Sequence, residues 1–202
     1  NTLDNFEAEI SVTKGEYTTV LLAKSVLAEV QYAQGEIVAA QKNLFDALDI
    51  AKTQDVAEND PLLLSTVYYT FGLLNDPYYI NDYNLAQPAQ AIWAYSNAIN
   101  YNKDQEKYYI NRAALYWDSE NYEAAIADYS YLIATHPDHF LNFHLLRGNL
   151  RVNIGQYSDG IADLYQALKH PYLDDYLEIS IVYLIGKARL LLGEYNEAEN
   201  IF

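Results

Sequence analysis

Repetition constrains this chain more than any other feature. Residues 109–137 and 144–171 read alike. The first stretch carries Arg112-Ala113, Tyr122 and Ala125-Ile126-Ala127-Asp128-Tyr129, and the second carries Arg147-Gly148, Tyr157 and Gly160-Ile161-Ala162-Asp163-Leu164. The offset is 35 residues (Ala113 to Gly148), and both stretches close on a His-Pro pair, His136-Pro137 and His170-Pro171. A third copy follows through Gly186, Gly193-Glu194-Tyr195 and Ala198, and two earlier copies are legible. One column of small residues therefore runs Ala28, Gly72, Ala113, Gly148, Gly186, and a second runs Ala40, Ala91, Ala125, Gly160, Ala198. A chain repeating at such a period builds its core by stacking one supersecondary unit on the next.

Each copy holds two amphipathic stretches. Tyr122, Ala125, Ile126, Tyr129, Leu132 and Ile133 recur at three- and four-residue steps, the period of a helix with one apolar face. Between the two stretches lies turn chemistry: Asp118-Ser119-Glu120-Asn121 in one copy, with Gly155 and Gly193 at the equivalent corner of others, where positive φ is expected. Pro137 and Pro171 stop the second stretch. The small columns let paired helices approach closely.

This pattern resembles the tetratricopeptide repeat (TPR) family, helix–turn–helix units of about 34 residues. The resemblance runs from Leu21 to Phe202. It implies an all-α, right-handed superhelical solenoid of antiparallel helix pairs whose first helices line a concave groove, and a binding scaffold rather than a catalyst. The implied repeats are 21–54, 61–104, 106–139, 141–174 and a truncated 179–202. Residues 1–20 fit no repeat and read as an N-terminal cap or arm. Residues 75–87 interrupt the second repeat as an inserted loop, expected to form a protruding apolar flap that packs on a neighbouring repeat or on a partner, with Tyr78, Tyr79 and Tyr83 as contact residues.

On the groove side the resemblance places Tyr69, Leu73, Lys107, Asn111, Ala114, Trp117, Asn142, Asn149, Tyr183 and Lys187. Rings and amides of this kind suit an extended peptide. The family's carboxylate clamp is incomplete: Asn111 holds one place, while Tyr69, Leu73, Asn142 and Leu146 stand where its partners belong. Arg112 with Asp128, and Arg147 with Asp163, recur at equal spacing and read as structural ion pairs joining the two helices of a repeat.

Composition narrows the function classes. A net charge of −16 opposes binding to nucleic acid, whose phosphates need clustered Lys and Arg, and opposes docking on an anionic membrane. No stretch is apolar enough for membrane insertion. Without cysteine there is no disulfide, thiolate site or Cys nucleophile. His136, His139 and His144 lack strict metal-ligand spacing, and Asp76, Asn81, Asp82 and Asn84 lack the order of a calcium loop. No catalytic motif occurs, so the expectation is a non-enzyme with no cofactor and no metal.

The expected role is a protein–protein interaction scaffold gripping a peptide or partner segment in the groove. The alternative is a structural subunit that assembles head to tail with copies of itself into an extracellular filament, the apolar edge at Ile201-Phe202 covered by a neighbour's first 20 residues. The 21 tyrosines and absent methionine suit an exported or cell-surface setting somewhat better than a cytoplasmic one, and the absence of methionine even at residue 1 is expected of a processed product or excised fragment.

Overall fold

Four corners of the chain adopt one geometry. Gly35, Gly155 and Gly193 have φ of 81°, 82° and 81°, and Glu120 takes the same left-handed region at φ 58°. At each, the amide of the next residue bonds back to the carbonyl five residues before it: Glu36 to Gln31 at 2.8 Å, Asn121 to Tyr116 at 2.9 Å, Gln156 to Arg151 at 2.8 Å and Glu194 to Arg189 at 3.0 Å. This is the helix stop in which a left-handed residue turns the chain and satisfies carbonyls that the helix leaves open. It converts each of these four copies into a helical hairpin.

The computed structural model describes residues 17–53, 60–137 and 142–201, which contain helices and no strand. The helices are α1 (Tyr17–Ala33), α2 (Ile37–Thr53), α3 (Pro61–Leu73), α4 (Pro77–Ile80), α5 (Pro88–Tyr101), α6 (Glu106–Asp118), α7 (Tyr122–Thr135), α8 (Phe143–Asn153), α9 (Tyr157–Ala167), α10 (Asp175–Leu192) and α11 (Tyr195–Glu199). Tyr17–Val20, expected within the N-terminal cap or arm, are the first turn of α1; the rest of that segment lies outside the described residues, as do Asp138, His139 and Phe202. The chain divides into two compact units, Asn1–Tyr108 and Tyr109–Phe202. In the first, α1 packs on α2, α3 on α5, and α3 also meets α1 and α2. In the second, α8 packs on α7 and α9, and α10 packs on α8, α9 and α11.

The small columns are where helices touch. Ala28, Ala40, Ala91, Ala113, Ala125 and Ala198 are 0% exposed. A Cβ on Gly160 would lie 2.8 Å from Val152 Cγ2 and 3.0 Å from the Gly148 carbonyl oxygen, so α8 and α9 meet nearly backbone to backbone. Around that contact Val152, Ile161, Leu164, Ala167, Ile181, Ile185 and Ala188 form one apolar cluster of the second unit. Burial on this scale supplies the stability that a lone hairpin lacks.

At Glu120 the corner geometry costs something. A side chain in the left-handed region pays roughly 1 kcal/mol that glycine does not. Glu120→Gly is expected to stabilise the fold by roughly 0.5–1 kcal/mol, part of the gain being offset by the freer unfolded chain. Urea denaturation reads this directly; a lower midpoint would show that the Glu120 side chain contributes contacts outweighing its strain.

Segment 75–87 replaces the corner of the second hairpin and packs back on the first, where the Tyr79 ring stacks on Tyr32. Asp76 is buried, accepts the Tyr95 hydroxyl at 2.8 Å and caps α4 by accepting from Tyr78 N at 2.9 Å. Gln41 Nε2 on α2 donates to the carbonyls of Leu74 at 2.7 Å and Leu85 at 3.1 Å, and Gln87 N bonds to Asn75 O at 2.9 Å. Both ends of the insertion are thereby tied down. Pro77 and Ile80 are buried, while Tyr78, Tyr79 and Tyr83 are exposed.

Candidate binding cleft

Helix α3 carries Thr66, Tyr69, Thr70 and Leu73 at three- and four-residue steps, which sets them on one face. Helix α1 presents Glu29 and Tyr32 beside them, α4 presents Tyr79, and Lys107 enters from the first turn of α6. Together with Leu74 these residues enclose an open cleft of about 410 Å³ within the first unit. Three of the groove residues expected from the sequence, Tyr69, Leu73 and Lys107, thus line one cavity with Tyr79, a contact residue of the insertion.

The walls are aromatic and the polar groups are distinct in role. Tyr32 and Tyr79 stack with centroids 5.3 Å apart, and the Tyr32 hydroxyl donates to the Tyr79 carbonyl at 3.3 Å. The Tyr69 ring rests against Tyr108 at 4.8 Å and Tyr95 at 5.8 Å, which fixes its orientation. Lys107 Nζ sits 4.5 Å from the Tyr69 ring centroid and 5.8 Å from that of Tyr108, a cation held by ring faces. Thr66 and Thr70 donate their hydroxyl protons to the carbonyls of Leu62 and Thr66, each at 3.0 Å, leaving their oxygens as acceptors. Burial, with smaller contributions from Tyr32 and Glu29, raises the Tyr79 hydroxyl above the usual tyrosine range, so at neutral pH it is an uncharged donor.

Other expected groove residues belong to the second unit. Asn111 and Trp117 are half-buried on α6, Asn149 is half-buried on α8, and Tyr183 and Lys187 are exposed on α10. Asn142 requires a correction. It is 8% exposed; its oxygen caps α8 by accepting from Leu145 N at 3.0 Å, and its amide donates to Ala167 O at 2.8 Å. Those bonds join α8 to the end of α9 and direct the carboxamide inward rather than to a ligand.

The recurring Arg and Asp residues meet across their hairpins. Arg112 reaches Asp128 through Nε at 2.9 Å and Nη2 at 2.6 Å, and Arg147 reaches Asp163 at 2.8 and 2.6 Å, both bidentate. Asp163 also accepts from Arg151 Nη1 at 2.8 Å, with His144 Nδ1 3.4 Å away. The two carboxylates differ in consequence. Burial pushes Asp163 up, but Arg147, Arg151 and His144 together hold it below the ordinary range; at Asp128, with one arginine, burial prevails and the carboxyl is raised.

Among residues weighed for metals, His136 pairs its Nδ1 with the Thr135 hydroxyl at 2.8 Å, and His144 faces Asp163. Asp76 is turned inward and Asp82 accepts from Asn84 N at 2.9 Å. Two more clefts lie in the first unit, one of about 380 Å³ between α1 and α2 that includes Lys24, Lys42 and Asp46, and one of about 300 Å³ with Phe45 and Phe71. Neither contains an expected site residue.

Sequence reasoning missed Glu29, Tyr32, Thr66 and Thr70. The signal for the threonines was present, since Thr66 and Thr70 share the helical stripe of Tyr69 and Leu73. Glu29 and Leu73 also occupy one repeat column, each following the small residue Ala28 or Gly72.

No protein-family model matches the chain, and no curated protein matches it by sequence. Solved structures are similar in fold. A TPR protein whose structure is described as having an unusual peptide-binding site, YrrB, superposes with a TM-score of 0.68 at 11% identity, covering 97% of this chain and 88% of that one. MamA superposes at 0.63 with 17% identity over 93% of this chain and 89% of that chain. A tetratricopeptide repeat protein from Parabacteroides merdae does so at 0.63 with 20% identity, over 93% of this chain and 64% of that chain. The fold is that of TPR proteins, built of helical hairpins.

Proposed function

We propose that a chain with this fold acts as a non-catalytic protein–protein interaction scaffold, and that its first unit grips a short extended segment of a partner in the cleft of Tyr69, Leu73 and Lys107. The observation that carries this reading is the cleft itself: three tyrosines around a leucine floor, with unused acceptors on Thr66 and Thr70 and a cation at its rim. Tyrosine gives large contact area at small entropic cost, and placed hydroxyls pair with a peptide backbone. The peptide-binding site named for YrrB, a protein of the same fold, supports the reading by analogy. Among the described residues no helix is long and apolar enough to cross a membrane.

The test is selection of a random dodecapeptide library displayed on phage against the whole chain. Thr66 is exposed, so Thr66→Trp fills the cleft without touching the core and is expected to reduce capture of the selected peptides at least tenfold, with an unchanged melting temperature. Peptides bound equally by the variant would place recognition elsewhere and overturn the reading.

A further inference from the structure

The cleft contains an unusual electrostatic arrangement. Glu29 is exposed, forms no ion pair among the described residues, and lines the same cleft as Tyr32 and Tyr79. Beside it stand the Tyr32–Tyr79 stack and the acceptor oxygens of Thr66 and Thr70. Tyrosine faces next to a carboxylate and hydroxyl acceptors make a seat for a cation. The molecule shows that a cation is accepted here: Lys107 Nζ lies 4.5 Å above the Tyr69 ring, in a chain with 28 acidic residues, and it has no carboxylate partner among the described residues.

We propose that the cleft recognises a basic side chain, an arginine or lysine of the partner segment, seated between the Tyr32–Tyr79 stack and Glu29, with Lys107 occupying the neighbouring Tyr69 face until the partner arrives. This rests on the scaffold reading and specifies its ligand. Charge complementarity sets the choice: a net charge of −16 draws a basic segment from a distance and repels an acidic one. Lys107 then opposes the incoming cation, and its removal favours binding.

The same selected peptides test this. Their sequences are expected to be enriched in Arg and Lys. A synthetic peptide of the consensus is expected to lose affinity about fivefold with Glu29→Gln, to gain about fivefold with Lys107→Ala, and to bind more weakly as salt rises. Both positions are exposed, so the fold is preserved, and melting temperatures verify it. Thr66-dependent peptides lacking basic residues, or weaker binding with Lys107→Ala, overturn the cation seat while leaving the scaffold reading intact. If no peptide depends on Thr66, both fail.

Discussion

Asp163→Ala is expected to destabilise the protein by about 3 kcal/mol. Asp163 is buried and neutralises Arg147 and Arg151 together, with His144 adjacent. Removing it takes from the half-buried Arg147 and Arg151 the carboxylate that they share, and the cost of leaving such charges unpaired exceeds the net worth of the original pair. The pH dependence follows in sign. A carboxyl held low in the folded state contributes stability that is present above its unfolded pKa, about 3.9, and is lost as pH falls through the lower folded value. Asp128 is raised, so its contribution runs the other way: it favours folding below the unfolded pKa and fades as pH rises through the folded one. Denaturation midpoints between about pH 5 and pH 2 should therefore fall less steeply for Asp163→Asn than for the parent chain, and more steeply for Asp128→Asn. Parallel slopes for all three would contradict the assignment of the acid-sensitive charge to Asp163.

Gly72→Ala is the second large effect, a loss of about 2 kcal/mol even though alanine favours a helix by about 1 kcal/mol. The new Cβ would collide with Tyr95 Cε1 and lie 2.6 Å from Cδ1. That ring cannot step aside: Tyr95 is fully buried and its hydroxyl is bonded to Asp76, the residue that caps α4. The strain therefore reaches α4 and the Tyr79 wall of the cleft. Gly148→Ala, where the nearest contacts are 3.0–3.1 Å, is expected to cost less. A thermal melt of both variants ranks them, and equal midpoints would show that Tyr95 can relax.

The parts of this molecule legible in its sequence are those governed by local sterics or repeated chemistry. Ala28, Gly72, Ala113 and Gly148 recur because a second helix leaves room for little else, and a small residue repeated in register, Gly186 included, is visible without coordinates. The Arg112–Asp128 and Arg147–Asp163 pairs showed for the same reason. Asn142 illustrates the opposite case. An asparagine ahead of a helix serves as a cap or as a ligand contact, and only the Ala167 carbonyl arriving from α9 decides which. The insertion was opaque because its polar residues look solvent-facing in sequence, whereas Asp76 finds Tyr95 and the backbone finds Gln41, both distant along the chain. The cleft was half legible: Tyr69, Leu73 and Lys107 followed from the resemblance to the TPR family, but Tyr32 enters through a stack with Tyr79 that no period encodes.

Hydrogen exchange of the whole chain with and without a selected peptide tests the central claim most directly, that hairpin packing in the first unit creates a peptide cleft. Added protection is expected at backbone amides of α1 around Glu29–Tyr32, of α3 around Thr66–Leu73 and of α4 at Tyr79, with little change in α8 to α11. Protection confined to the second unit, or absent from α3 when peptide saturates the chain, would contradict it.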